Sequence, residues 1–228
     1  GSEIFAAAHQ KGVMVAFEAA VAGGIPIIKA LREGLTANRI QWVAGIINGT
    51  TNFILSEMRD KGFAFEVVLK EAQRLGYAEA DPTFDIEGVD AAHKCSLLTA
   101  IAFGVPIPFA QAYVEGISQL EVKDMRFAAQ LGYRIKLLGV TKRTPEGIEV
   151  RVHPCLVSER SLIASVDGAM NAVMVHGNNL PLHCPTKDTP AWNYHPRVFL
   201  DILATGEAKC PYCGTEYRLI PGTEPHGH

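Results

Sequence analysis

The sequence predicts an α/β domain of the α+β kind, a mixed sheet with flanking helices, followed by a small C-terminal β segment built like a zinc ribbon. Three observations predict it. From residue 3 to about 178, apolar runs of strand length alternate with helical stretches that stop on glycines. A hairpin with the turn Thr144-Pro145-Glu146-Gly147 follows the last of those helices. Beyond Asn178 the helical periodicity disappears, and prolines, histidines and cysteines crowd together instead.

Glu3 to Lys11 reads as a helix end closed by Gly12, and Val13 to Phe17 as a strand buried on both faces. Gly23-Gly24 permits a tight turn. Pro26 opens a helix that reaches Arg32 and stops near Gly34. Gln41 to Ile47 is the second strand; Asn48-Gly49-Thr50-Thr51 breaks it, and the helix Asn52 to Lys61 ends at Gly62. Phe65 to Leu75 carries apolar residues at helical spacing and stops at Gly76. Residues 76–88 form an acidic loop, Asp90 to Phe103 a long apolar helix and Val114 to Ile117 a strand. A helix from Lys123 to Leu131 leads into the hairpin strands, Tyr133 to Thr141 and Ile148 to Val157.

Composition narrows the function. With 48% hydrophobic and 20% charged residues among 228, the chain can bury a core, which excludes wholesale disorder. A net charge of −3 argues against a nucleic-acid binder that works by neutralising phosphates. The most apolar stretch, Val13 to Ile28, is broken by Glu18 and Gly23-Gly24 and is no membrane span. The N-terminus has no signal-peptide pattern and no initiator Met, as expected of a processed product or a fragment. A cytoplasmic protein is the expectation. The division expected is a larger domain over residues 1–178, a stapled segment over 179–220 and a loose tail over 221–228.

The acidic loop and the helix after it carry the sharpest chemical signal. Glu79, Asp81, Asp85, Glu87 and Asp90 fall close together, and Lys94 stands one helical turn after Asp90 on the same helix face. A lysine held among carboxylates can relay a proton; a solvated loop with an ordinary helix ion pair has the same composition. The turn Asn48-Gly49-Thr50-Thr51-Asn52, between strand and helix, can grip an anion on its backbone amides, or can be a simple helix cap made by Thr50 or Thr51. Glu18, at the end of a strand and before a glycine turn, can help hold a monovalent cation or can be a paired structural carboxylate.

Three stretches in this order resemble the homoserine dehydrogenase family: FEAAVAGGIPII (Phe17 to Ile28), GIINGTTNFIL (Gly45 to Leu55) and GYAEADPTFDIEGVDAAHK (Gly76 to Lys94). The hairpin and DGAMNAV (Asp167 to Val173) are also similar to bacterial members, so the resemblance covers residues 1 to about 178. It implies that Lys94 and Asp90 sit at the reacting hydroxyl, that Glu79 and Asp85 contact the amino acid substrate, and that Thr50 and Tyr77 line the same pocket. It implies a sodium or potassium site at Glu18 with the carbonyls of Val21, Gly23 and Ile25, and a homodimer formed through this domain. The family exchanges a hydride with NAD(P), interconverting homoserine and aspartate semialdehyde for threonine and methionine biosynthesis. No GxGxxG stands after a strand in the 228 residues, so no cofactor-binding residue is expected here and the chain alone is expected not to turn over.

In the C-terminal segment Cys184, His195, Cys210 and Cys213 follow the spacing C-x10-H-x14-C-x2-C, which suits a closed, structural zinc tetrahedron. His183 is an alternative ligand, and a redox Cys210/Cys213 pair an alternative use. A segment of about 50 residues with little core needs such a staple. LHCPTKDTPAWNYHPRVFLDI and GEAKCPYCGTEYRL resemble the CHCC zinc-finger family, related to an accessory subunit of respiratory complex I. Beside the dehydrogenase reading therefore stands a second, a non-catalytic zinc-stabilised adaptor or accessory protein. Cys95 and Cys155 are isolated and read as small buried hydrophobes.

Overall fold

The computed structural model describes residues 2–35, 38–106, 109–177, 182–184, 198–200, 202 and 206–218. Its centre is a five-stranded mixed sheet in the order β2-β4-β3-β1-β5, made of β1 (Ile40–Ile46), β2 (Tyr113–Val114), β3 (Tyr133–Thr144), β4 (Gly147–Ser158) and β5 (Ala172–Gly177). All pairings are antiparallel except the two-residue parallel pair of β2 with β4.

The strands alternate as a half-covered sheet requires. One face presents Val43, Leu137, Val150 and Val152, buried together with Ile47 of the link after β1 and with Ile54, Met58, Ala91, Ala92, Cys95 and Leu98 from the helices above. Those helices are α4 (Gly49–Lys61), α5 (Phe65–Arg74), α7 (Val89–Phe103) and α8 (Val122–Gln130), with the single turn α6 (Thr83–Ile86) ahead of α7. α1 (Ser2–Lys11), α2 (Ala19–Ala22) and α3 (Ile27–Lys29), which runs on as a π-turn Ala30–Gly34, precede β1. The opposite face packs Ile46, Leu138 and Val157 under the short turn Leu162–Ser165. Trp42, stacked on His176 with ring centroids 5.3 Å apart, lies further along that face, as does Met174, which is exposed.

Most expected elements are present, with bounds shifted by a few residues. Val13 to Phe17 is the exception, because it forms no strand. Val13 is 60% and Met14 89% exposed, and among the described residues no neighbouring strand takes up their backbone groups. An apolar run of five residues has strand length but still needs a ladder partner. The strand expected at Val114 to Ile117 is only Tyr113–Val114, since Ile117 turns away to bond the Ile86 carbonyl (2.8 Å). The acidic loop contains α6.

Beyond residue 178 the described residues form two small antiparallel pairs, β6 (Leu182–Cys184) with β7 (Val198–Leu200), and β8 (Glu207–Lys209) with β9 (Glu216–Arg218). His195 and the tail over 221–228 lie outside the described residues. The turn between β8 and β9 carries Cys210 and Cys213. The Cys210 N–H bonds the Thr215 carbonyl, the Gly214 N–H bonds the Cys210 carbonyl (both 2.9 Å), and Gly214 adopts φ +73°. Only glycine enters that left-handed region without strain. No helix among the described residues is long and apolar enough to cross a membrane.

Candidate active site

The site forms where β1 runs into α4. Asn48 has extended backbone angles and caps α4, its Oδ1 accepting the Thr51 amide (2.9 Å) and hydroxyl (3.0 Å). The cap is thus Asn48, not Thr50 or Thr51. Because its oxygen is committed to the helix, its Nδ2 faces outward. It donates to Asp85 Oδ1 (2.7 Å) and to Asp90 Oδ2 (2.9 Å). One amide therefore joins the helix start to two carboxylates from α6 and α7.

Asp90 Oδ2 also accepts from Lys94 Nζ at 2.6 Å, the i,i+4 pair that the helix pitch dictates. Lys94 Nζ makes a second, longer bond to the Ile47 carbonyl (3.3 Å). An ammonium has three donors, so one of Lys94's remains for a ligand. Both side chains keep partial access to solvent, 24% for Lys94 and 20% for Asp90. The acid also lies in the first turn of α7, where the helix dipole favours negative charge.

Thr50 extends the cluster. Its hydroxyl donates to the Tyr77 carbonyl (2.6 Å), while the exposed Tyr77 ring leans on Phe53 at 4.8 Å. Gly76, at φ +79°, ends α5 and lets the amides of Tyr77 and Ala78 double back onto the Ala72 carbonyl. That turn directs residues 77–79 toward the start of α4. Gln73 Nε2 fixes the Glu79 carbonyl (3.0 Å), and the Glu79 side chain is exposed and takes no hydrogen bond or ion pair among the described residues.

The acidic loop is clamped from behind. A Cβ on Gly116 would press on the Ile86 carbonyl and lie 2.7 Å from the Glu87 carboxylate, so only glycine lets the α6–α7 junction seat here. Gly88, at φ +78°, starts α7 against Val114 and Val152.

At the α2 turn, Glu18 places Oε1 on the Ile28 amide (2.7 Å) and Oε2 on the Lys29 amide (3.0 Å), closing the start of α3. The Ile25 carbonyl accepts from Ile27 N–H (2.8 Å). The Val21 and Gly23 carbonyls accept no hydrogen bond among the described residues. Cys95 is fully buried, and burial pushes its thiol up to about 12, which removes it as a nucleophile. Cys155 is half-buried beside His153.

Two sets of residues escaped the sequence reading. Asn48 was visible only as part of a turn, although an Asn three residues before a Thr at a helix start is a capping pattern. Behind α4 lies a second polar cluster. Lys136, in mid-strand and 1% exposed, donates to Asn52 Oδ1 (3.0 Å), to the Val166 carbonyl (2.6 Å) and to Asp167 Oδ1 (3.0 Å). Arg59 donates to the same Asp167 oxygen at 2.8 Å. The Arg59 and Lys136 cations hold the Asp167 carboxyl well below the usual carboxylate range, while burial lowers Lys136. Asn52 Nδ2 also holds the carbonyls of Val166 and Met170 (3.0 and 3.1 Å), fixing the 166–170 loop against α4.

Comparison with known proteins gives two family matches: the homoserine dehydrogenase family over residues 26–184 and a zinc-finger domain family of the CHCC type over residues 181–217. The homoserine dehydrogenase of Pseudomonas aeruginosa is 67% identical over 178 residues, covering 78% of this chain and 41% of that protein. That of Neisseria gonorrhoeae is 66% identical with the same coverage. Among solved structures, a homoserine dehydrogenase from Thiobacillus denitrificans is 76% identical with a TM-score of 0.75, over 77% of this chain and 41% of that one. A hyperthermophilic archaeal homoserine dehydrogenase in complex with NADPH is 27% identical with a TM-score of 0.65, over 78% and 50%. The chain thus spans about 41% of the length of the curated bacterial relatives named here.

Proposed function

Since the chain belongs to the homoserine dehydrogenase family, whose model matches residues 26–184, we propose that residues 1–178 form the part of such an enzyme that holds the amino acid substrate and handles its proton. The observation that carries this reading is the Asp85–Asn48–Asp90–Lys94 cluster. Lys94 has one N–H left for the substrate oxygen, and Asp90 keeps it aimed. In aldehyde reduction Lys94 gives the proton that the new hydroxyl needs; in homoserine oxidation the proton returns the other way. Asp85 and Glu79 meet the substrate ammonium, and Thr50 with the Tyr77 ring closes the side of the pocket. The aspartate-pathway setting fits a cytoplasmic enzyme.

The nicotinamide of NAD(P), by which we mean the class bound by the archaeal neighbour solved with NADPH, supplies the hydride. The described residues do not fit that cofactor. Their sheet is antiparallel apart from one two-residue pair, and no strand leads through a glycine-rich turn into a helix and a parallel strand. Holding the cofactor is therefore assigned to none of these residues.

Calorimetry with homoserine tests the proposal. Weak binding to the 228-residue chain is expected, and Asp85→Ala should weaken it by about tenfold or more, the value of a hydrogen bond to a charged group. A chain that releases no heat with homoserine, or an Asp85→Ala variant that binds as well as wild type, would contradict it.

For residues 179–220 we propose a structural zinc held by Cys184, His195, Cys210 and Cys213. The turn geometry at Cys210 and Gly214 supports this reading, because it supplies two thiols from one tight turn between paired strands. Metal analysis should find about one zinc per chain by the tetrahedral-site logic, and Cys210→Ser with Cys213→Ser should remove it. If metal persists in the double variant, the ligands lie elsewhere. A finger of this kind, similar to that of a respiratory complex I accessory subunit, also suits the adaptor reading, and the two functions can share one chain.

We further propose a monovalent cation, sodium or potassium, at the carbonyls of Val21, Gly23 and Ile25 beside Glu18. The second face of the sheet, with Trp42 and the exposed Met174 outside the cluster under Leu162–Ser165, suits a second copy of the chain in a homodimer. Light scattering should then give twice the chain mass.

A further inference from the structure

Residues 169–173 run closely past three glycines. A Cβ on Gly49 would lie 2.8 Å from the Ala169 carbonyl, one on Gly45 would lie 2.9 Å from the Ala172 carbonyl, and one on Gly23 would lie 3.7 Å from Asn171 Nδ2. The β1–β5 pairing ends at Ile46 with Ala172, and Asn171 and Ile47, whose carbonyl holds Lys94, are the next residues beyond that pair. Asn171 therefore stands between the α2 turn and the anchor of the catalytic lysine.

Its side chain is unusual. The Oδ1 atom is buried and has no hydrogen-bond donor among the described residues. Buried carbonyl oxygens are nearly always paired, so the placement that turns Nδ2 toward Gly23 and Oδ1 away from it leaves the oxygen unsatisfied. The Nδ2 atom has no acceptor among the described residues, so half a turn about χ2 exchanges oxygen and nitrogen without breaking a bond. That rotation brings Oδ1 over Gly23, where the Val21 and Gly23 carbonyls also lack donors. The side chain closest in sequence, Glu18, has both oxygens on backbone amides and leaves the turn to neutral oxygens. Neutral oxygens from three residues suit a large monovalent cation, whose hydration shell carbonyls can replace.

We infer that the Asn171 carboxamide oxygen is a ligand of this cation and ties the α2 turn to the end of the sheet beneath Lys94. The inference rests on reading the turn as a cation site, and the test separates the two. Thermal unfolding of the 228-residue chain is followed while sodium chloride or potassium chloride replaces choline chloride at fixed ionic strength, with the 23Na line width as a second readout. Wild type should melt higher in one of the alkali salts. Asn171→Ala should weaken the apparent cation affinity by about tenfold or more, since loss of an outer-shell partner alone costs about that much. Asn171→Asp, which keeps the oxygen and adds charge, should tighten it and serves if the alanine variant does not fold. No difference between alkali and choline salts in wild type would overturn the cation site itself. A wild-type response that survives undiminished in Asn171→Ala, or is weakened in Asn171→Asp, would overturn the role of Asn171 alone.

Discussion

Lys94→Ala is expected to lower homoserine-dependent reduction of NADP by about 100- to 10,000-fold, the span of a positioned general acid or base. The 228-residue chain alone should show no hydride transfer, because a nicotinamide has to be held about 3–3.5 Å from the reacting carbon. The measurement therefore uses the chain joined to the part of the Pseudomonas aeruginosa relative that it does not span. In the proposed mechanism, removing Lys94 strips the reacting oxygen of its proton partner, and among the described residues it leaves Asp90 with Asn48 as its remaining side-chain donor. Homoserine binding should change far less than turnover, since Asp85 and Glu79 are the residues proposed above to meet the ammonium. Equal activity in the joined wild-type and Lys94→Ala proteins would assign the proton to another group.

The largest expected effect on stability comes from the other cluster. Asp167→Ala should cost about 3–5 kcal/mol, the range for removing one partner of a buried ion pair. Lys136 is 1% exposed and, among the described residues, would keep only Asn52 and the Val166 carbonyl as acceptors, while Arg59 retains Asp60 and Arg134 retains Glu159. Asp167 itself is 38% exposed, so solvent screening pulls the value toward the lower end of that range. The pH dependence has a definite sign. The folded carboxyl titrates below its unfolded value of about 3.9, so its stabilisation is whole above that pH and fades as the pH falls toward the folded value. Urea unfolding should show a wide gap between wild type and variant at neutral pH and a narrower one near pH 3. A gap of constant width would mean that the charge of Asp167 contributes nothing.

What the sequence disclosed and what it withheld divide along physical lines. Glycine stops and helical spacing located α5 and α7, because local backbone preference decides them. Val13 to Phe17 misled because strand formation depends on a partner that a linear pattern does not contain. The pair Asp90 and Lys94 was legible from spacing alone, since one helix carries both. Asp85 and Asn48 meet across 37 residues, so their bond follows from the β1–α4 junction and not from any local rule. Lys136 stood in plain view in an apolar strand, but its acceptors lie on α4 and on a loop 30 residues away. The family resemblance supplied the proposed roles of the site residues; the fold supplied Asn48 as the part that joins Asp85, Asp90 and the start of α4.

Position 48 has unusually little freedom to vary. Aspartate would cap α4 as well as asparagine does, yet it would turn an oxygen toward Asp85 and Asp90 and repel both. Serine or threonine would cap the helix but carries one hydroxyl proton where two N–H donors are in use. Glutamine has the donors on a longer stem and forfeits the short-range cap. Of the side chains that satisfy the helix, asparagine alone also satisfies the acids, so a library randomised at this codon and selected for turnover should return a single amino acid.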